Sequence, residues 1–270
     1  MKRNLTGKVL AITGASSGIG AATALEAARA GMVVSLGARR VEKLEEVKQQ
    51  IEVAGGRAVA FQCDVTDPES VQAFIDQTVE ALGRLDAIYA NAGYGLVRKV
   101  LDMTEDEHRA IFETNYFGTM HTVRAAMAAL READGGLRHI IICSSCVSEI
   151  GLPEMGAYCA TKAAQDGLAG ALRGELMDEG FSVTTVHPVG TKTEFFTTAA
   201  EQSGYRPKRR LLPEGPSQTP EQVARAIVRA LRRPRPEVWP LPWVRWSLGV
   251  VTAFPSIGVW AGRRHQPPRE

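Results

Sequence analysis

The chain has 270 residues, 44% of them hydrophobic and 23% charged, with a formal net charge of +2. That is ordinary for a globular protein and enough for one large core without forcing a second domain. The charge balance gives no reason to expect a nucleic-acid partner, and there is no internal repeat or low-complexity segment.

Residues 1–8 run straight into the first apolar segment with no signal-type h-region, so no secretory leader is expected. Strands are predicted at 8–13, 32–37, 57–63, 85–90, 138–143 and 182–187, with a short one at 237–239. Helices are predicted between them. One follows the first strand and stops at Gly31. A charged amphipathic one covers 41–54, and one over 68–82 opens on Pro68 with Asp67 as N-cap. Thr104-x-x-Glu107 reads as a capping box opening a long helix to about residue 132. Two more cover 157–179, closed by Gly180, and 219–232. The alternation predicts an α/β fold, a doubly wound parallel sheet of six or seven strands with helices on both faces. A single domain over 1–236 and an Arg/Trp/Pro-rich C-terminal extension over 237–270 are expected.

Two motifs carry chemistry. The first is Thr13-Gly14-Ala15-Ser16-Ser17-Gly18-Ile19-Gly20, set between a strand and a helix. Glycines there let the backbone approach a pyrophosphate, and the helix N-terminus offers unpaired N–H groups to it. The spacing is G-x-x-x-G-x-G rather than G-x-G-x-x-G. The second is Tyr158-x-x-x-Lys162, with Ser145 thirteen residues before the tyrosine. Four residues apart on a helix, a phenol and an ammonium share one face. A cation beside a phenol favours the phenolate, so Lys162 is expected to lower the Tyr158 pKa toward neutrality. Alone, the pair also fits an ordinary surface Tyr and Lys.

In order and spacing, Thr13-Gly14 with Gly18 and Gly20, Cys63-Asp64-Val65, Asn91-Ala92-Gly93, Asn115, Ser144-Ser145, Tyr158 with Lys162, and Pro188 through Thr193 resemble the short-chain dehydrogenase/reductases over about residues 5–232. The resemblance implies a Rossmann-type sheet of strand order 3-2-1-4-5-6-7. It implies cofactor binding by Gly14, Ser16, Ser17, Gly18, Ile19 and Gly20, by Asp64 and Val65 beside the adenine, by Asn91, Ala92 and Gly93, and by Pro188 and Thr193 around the nicotinamide. Tyr158 is the implied acid/base, Lys162 its partner and a ribose contact, Ser145 the donor to the reacting oxygen, and Asn115 the anchor of a proton relay. Ala90 stands where the family commonly has a second asparagine, and Pro188-Val189 where it has Pro-Gly.

The second strand ends in Gly37-Ala38-Arg39-Arg40, with no carboxylate to repel a ribose 2′-phosphate. By the resemblance, Ala38 replaces the aspartate of NAD-preferring members, Arg39 is the phosphate contact, and the cofactor is NADP(H). Reduction of a ketone or aldehyde follows, with a small-molecule carbonyl or alcohol as partner. An NADPH-dependent carbonyl reductase is the leading function. A non-catalytic NADP(H)-binding or sensing protein is the alternative, although such proteins typically lose part of the Tyr/Lys/Ser set. A sugar-nucleotide epimerase or dehydratase would need a longer substrate domain than this chain holds.

The substrate pocket is expected to draw on residues 94–100, 146–157 and 191–216, including Tyr94, Val147, Ile150, Leu152, Met155, Phe195 and Phe196, under a lid at about 191–218. No metal is expected. Cys143-Ser144-Ser145-Cys146 is formally C-x-x-C, but no second such pair or histidine pair accompanies it, so Cys63, Cys143, Cys146 and Cys159 are expected as reduced thiols. Thiol reagents at Cys146 or Cys159 are expected to inhibit. Gly167, Gly170, Ala171 and Gly174 permit close helix approach, within one subunit or, as the family implies, in a homodimer or homotetramer. From residue 229 to the C-terminus there are eight arginines and two glutamates, around a segment with Trp239, Trp243 and Trp246. Pro240, Pro242, Arg245 and Pro255 interrupt it too often for a bilayer-spanning helix. Three readings stay open for 237–262: peripheral membrane contact, a cover over the pocket, or a subunit interface. The expected location is cytoplasmic, with or without membrane association.

Overall fold

The computed structural model describes residues 2–133, 135–191, 217–254 and 256. The expected lid, with Thr193, Phe195 and Phe196, lies largely outside the described residues. Seven strands, β1 (Val9–Thr13), β2 (Val33–Ala38), β3 (Arg57–Gln62), β4 (Ala87–Ala90), β5 (His139–Cys143), β6 (Ser182–Val186) and β7 (Glu237–Val238), form one sheet. Its order is β3-β2-β1-β4-β5-β6-β7 and every pairing is parallel. The central strands are buried along their whole length, as a sheet covered on both faces requires, which is why β1 and β5 read as unbroken apolar runs. The order reverses between β1 and β4, so a crevice opens beyond the carboxyl ends of those strands.

Helices α1 (Gly18–Arg29), α2 (Val41–Val53) and α7 (Pro220–Arg232) flank one side of the sheet, and α3 (Pro68–Leu82), α5 (Gly118–Glu132) and α6 (Gly156–Glu175) the other. Their starts follow sequence logic. Asp67 caps α3 through the Glu69 N–H, and Thr219 with Gln222 forms a full capping box on α7. Asp86, fully buried at the foot of β4, accepts from Val9 N at 2.8 Å and from Arg84 Nε at 2.8 Å, which ties β1 to β4.

One feature departs from the sequence reading and two add to it. The expected single helix from Thr104 to 132 is divided. α4 (Glu105–Phe112) ends in a π-helical turn over Glu113–Phe117 before α5 begins. A π turn inserts one extra residue without breaking the helical course, so side-chain periodicity barely registers it. Second, residues 242–253 form a helix, α8 (Pro242–Ala253), with Pro242 in its first turn where proline is tolerated. Third, Gly167, Gly170 and Gly174 have open space where a Cβ would stand, so packing within one subunit is not their reason.

Candidate active site

The glycine turn after β1 is shaped by crowding. Gly14 has φ +70°, and a Cβ on it would lie 2.8 Å from Ala92 Cα. A Cβ on Gly20 would lie 2.3 Å from the Gly14 carbonyl oxygen, which no backbone shift relieves cheaply. Asn91 Nδ2 donates to Thr13 O at 3.1 Å and Gly14 O at 3.0 Å, so its amide braces the turn from β4. Arg40, at the end of β2, donates from Nη2 to Ser17 Oγ at 2.8 Å and Ser16 Oγ at 3.1 Å. The result is a bare backbone cradle at a helix N-terminus with two exposed arginines, Arg39 and Arg40, at its rim.

That cradle opens into one cleft of about 460 Å³. Its wall holds Gly14, Ser16, Ser17, Gly18 and Ile19, then Arg39, Asp64, Val65, Asn91, Ala92 and Gly93, and at the far end Ser145, Tyr158, Lys162 and Pro188. Among the described residues predicted for the site, only Gly20 and Asn115 are not on the wall, and both lie directly behind it. Thr193 lies outside the described residues. Tyr94, Val147, Leu152 and Met155 also line the cleft, while Ile150 does not.

The reactive end is a hydrogen-bonded cluster under an apolar wall. Lys162, nearly fully buried, donates from Nζ to Cys143 O at 2.7 Å and to Gln165 Oε1 at 2.8 Å, and its ammonium sits 5.6 Å from the Tyr158 ring centre. Gln165 Nε2 in turn donates to Asn115 O at 2.7 Å and Thr119 Oγ1 at 2.6 Å. The Asn115 side chain accepts from Tyr94 N and donates to Tyr94 O, both at 3.0 Å, and donates to Thr161 Oγ1 at 3.1 Å. Thr161 Oγ1 donates to Tyr158 O at 2.8 Å. The π turn is what exposes the Asn115 carbonyl to Gln165, so the helix irregularity and the site are one feature.

The expectation that Lys162 lowers the Tyr158 pKa fails here. Burial raises the phenol well above its ordinary value, with neighbouring thiols adding to the rise, and a hydrogen bond with Ser145 only partly opposes it. Burial lowers Lys162 as well, and its donors are directed to Cys143 O and Gln165 Oε1. Desolvation is the largest influence on both groups. Burial likewise pushes Cys146 up to about 11 and raises Cys159, so thiolates are scarce at neutral pH and reaction with thiol reagents is slowed.

Sequence reasoning missed three residues. Gln165, one turn after Lys162, had helical spacing as its signal. Arg40 stood beside the chosen Arg39. His187 had no local signal; its Nδ1 lies 3.2 Å from Ser145 O, and its ring stacks on Trp239 at 4.2 Å. Through Trp239, Leu241, Val244 and Leu248 the C-terminal extension joins the apolar cluster around Tyr158, Met155 and Leu152. Arg245 braces it with ion pairs to Glu237 at 2.8 Å and Glu149 at 3.8 Å. Among the described residues no cluster of His, Cys, Asp and Glu could hold a metal ion.

Comparison with known proteins places these features. The profile of the short chain dehydrogenase family matches residues 8–204. A glycine betaine reductase of Emericella nidulans is 33% identical over 86% of the chain, and an uncharacterized oxidoreductase of Mycobacterium bovis is 34% identical over 85%. The chain spans 18% of the first relative's length and 65% of the second's. An alcohol dehydrogenase of Thermococcus sibiricus, solved in complex with 5-hydroxy-NADP, superposes with a TM-score of 0.73 at 30% identity, covering 86% of this chain and 95% of that one.

Proposed function

Given that the chain belongs to the short-chain dehydrogenase/reductases, oxidoreductases that use nicotinamide cofactors, we propose that it reduces a ketone or aldehyde on an apolar molecule, reversibly, with NADPH. The observation that carries the reading is the meeting of the glycine cradle with Ser145, Tyr158 and Lys162 in one cleft. The cradle fits a dinucleotide: backbone stands where a Cβ has no room, Asn91 holds the turn, and Arg39 and Arg40 supply positive charge with no carboxylate on β2. Arg39 is taken as the contact to a 2′-phosphate, with Arg40 supporting it through Ser16 and Ser17. The reduced nicotinamide, when bound, supplies the hydride.

The chain's own residues handle the proton. Tyr158, held neutral by burial, keeps its proton at physiological pH and can give it to the oxygen of a carbonyl undergoing reduction. Ser145, hydrogen-bonded to the phenol, donates to the same oxygen and stabilises charge developing there. Lys162 holds the tyrosine's face of the cleft positive, and Gln165 and Asn115 fix Lys162 in place. Having given up its proton, Tyr158 regains one from water before the next turnover. Tyr94, Val147, Leu152 and Met155, with the extension behind them, favour an apolar carbonyl compound.

The test is NADPH absorbance with a panel of apolar ketones and aldehydes, including acyl-chain and sterol carbonyls. Turnover on at least one, lost by a factor of at least about 10³ in Tyr158→Phe with NADPH binding retained, is the expected result. Retained turnover in that variant removes the mechanism.

A further inference from the structure

Helix α8 has two apolar faces. The inner one, with buried Val244 and half-buried Leu248, packs on the cluster around the reactive end. The outer one carries Trp243, Trp246 and Val250, with Phe254 continuing the row at the C-cap, exposed by 54%, 79%, 52% and 60%. At about 100° per residue these four positions fall within roughly a quarter of the helix circumference. The row runs about 16 Å along the axis. It accounts for four of the chain's large exposed apolar side chains, gathered on a single helix. Scattered surface apolar residues need no explanation, but an aligned row with two indoles does.

We infer that this row is a docking surface for an anionic lipid membrane, on which α8 lies in the interface plane. Charge selects that occupant over a second copy of the chain. From Arg229 onward the sequence has eight arginines and two glutamates, a formal +6, while the rest carries −4. The stretch that contains α8, residues 238–269, holds four arginines and no carboxylate. A two-fold contact through the same face would bring two such basic segments together, and like charges at an interface are unfavourable. An anionic surface complements them, with each basic side chain near it adding attraction. Tryptophan suits the depth required, since its indole has an apolar body and one N–H to keep hydrated. No helix among the described residues is long and apolar enough to cross a membrane, and a 12-residue helix with an exposed apolar row suits attachment in the interface plane. Because the inner face of the same helix backs the cleft, the attachment sets the cleft wall against the lipid surface. The binding step itself does not rest on the proposed reaction.

The experiment is flotation of the full-length protein with vesicles of equal parts phosphatidylglycerol and phosphatidylcholine, against phosphatidylcholine alone, for wild type and Trp243→Ser/Trp246→Ser. Wild type is expected to float with the anionic vesicles. Its partitioning should drop about tenfold or more in the double variant, and similarly at high salt or on neutral vesicles. A blue shift of wild-type tryptophan emission on adding anionic vesicles reads the same contact without any variant. Circular dichroism melting of the double variant checks its fold. Wild type left at the bottom of the gradient, with unshifted emission, overturns the inference. So does a double variant that floats equally well, or one whose mass by light scattering falls to half that of wild type, which would make the row a subunit interface.

Discussion

Gln165→Leu removes the residue that links Lys162 to the π turn, and the structure allows its cost to be worked out. Leucine keeps the side-chain volume close, so the cavity term is small. Three hydrogen bonds vanish: Lys162 Nζ to Oε1 at 2.8 Å, and Nε2 to Asn115 O and Thr119 Oγ1 at 2.7 and 2.6 Å. Asn115 O keeps the Thr119 hydroxyl, at 2.7 Å, so it is not orphaned. The buried ammonium is the group that suffers, because among the described residues only Cys143 O remains as its acceptor at hydrogen-bonding distance. A hydrogen bond to a charged group contributes about 1.5–3 kcal/mol and each neutral one about 0.5–1.5 kcal/mol. The expected loss is about 2.5–6 kcal/mol, a sizeable part of a typical fold's net stability. Urea unfolding followed by far-UV circular dichroism measures it. The decisive comparison is with Lys162→Met as background. There the glutamine oxygen has no ammonium to serve, so Gln165→Leu should cost at least about 1 kcal/mol less than in wild type. Equal costs in the two backgrounds would show that Gln165 does not hold Lys162.

Two further outcomes follow from the same geometry. Arg39→Asp places a carboxylate at the rim of the cradle; kcat/KM with NADPH should fall about 10²-fold or more from the lost charge-assisted contact while that with NADH holds or rises, and an unchanged ratio refutes the cofactor assignment. His139 is fully buried, with Nε2 2.8 Å from Thr184 Oγ1 and Nδ1 lacking a hydrogen-bond partner, and burial pushes its pKa down to about 3. The unfolded chain takes up that proton below about pH 6.5 and the folded one does not, so this group costs stability as pH falls from about 6.5 toward 3, by roughly 1.4 kcal/mol per pH unit. His139→Leu should flatten that limb of the stability–pH curve, and an unaltered slope in urea titrations from pH 7 to 4 would assign acid sensitivity to other groups.

How much of this was written in the sequence depends on the range of the interactions involved. The strands, the helix starts and the glycine cradle were legible because they rest on local signals: apolar runs of strand length, glycines at fixed offsets, and caps such as Asp67 and Thr219; the strand order came from the family resemblance. Tyr158 and Lys162 were legible as a pair for the same reason. Their protonation was not. Spacing on a helix states that a cation can lie near a phenol, but the direction of the pKa shift is decided by how much water the surrounding chain removes, and that chain comes from β5, residues 146–155, α4 and the extension. The divided helix at Asn115 was hidden because a π turn leaves no compositional mark.

His187 shows the same limit most plainly. In the sequence it is a lone histidine before Pro188, with nothing to set it apart. In the fold its Nδ1 meets the Ser145 carbonyl and its ring lies flat on Trp239, at 2° between planes, so the backbone of the serine and the first turn of the extension share one support. Trp239 in turn donates to Glu237 at 2.8 Å, and Arg245 closes on both Glu237 and the Trp239 ring. Residues 237–245 therefore pack behind the reactive end of the cleft and brace it. A segment that supports Ser145 on one face while showing two tryptophans to the surroundings on the other gives a physical route between what α8 touches and the shape of the cleft, because a displacement of Arg245 must be felt at Glu149, four residues from the serine.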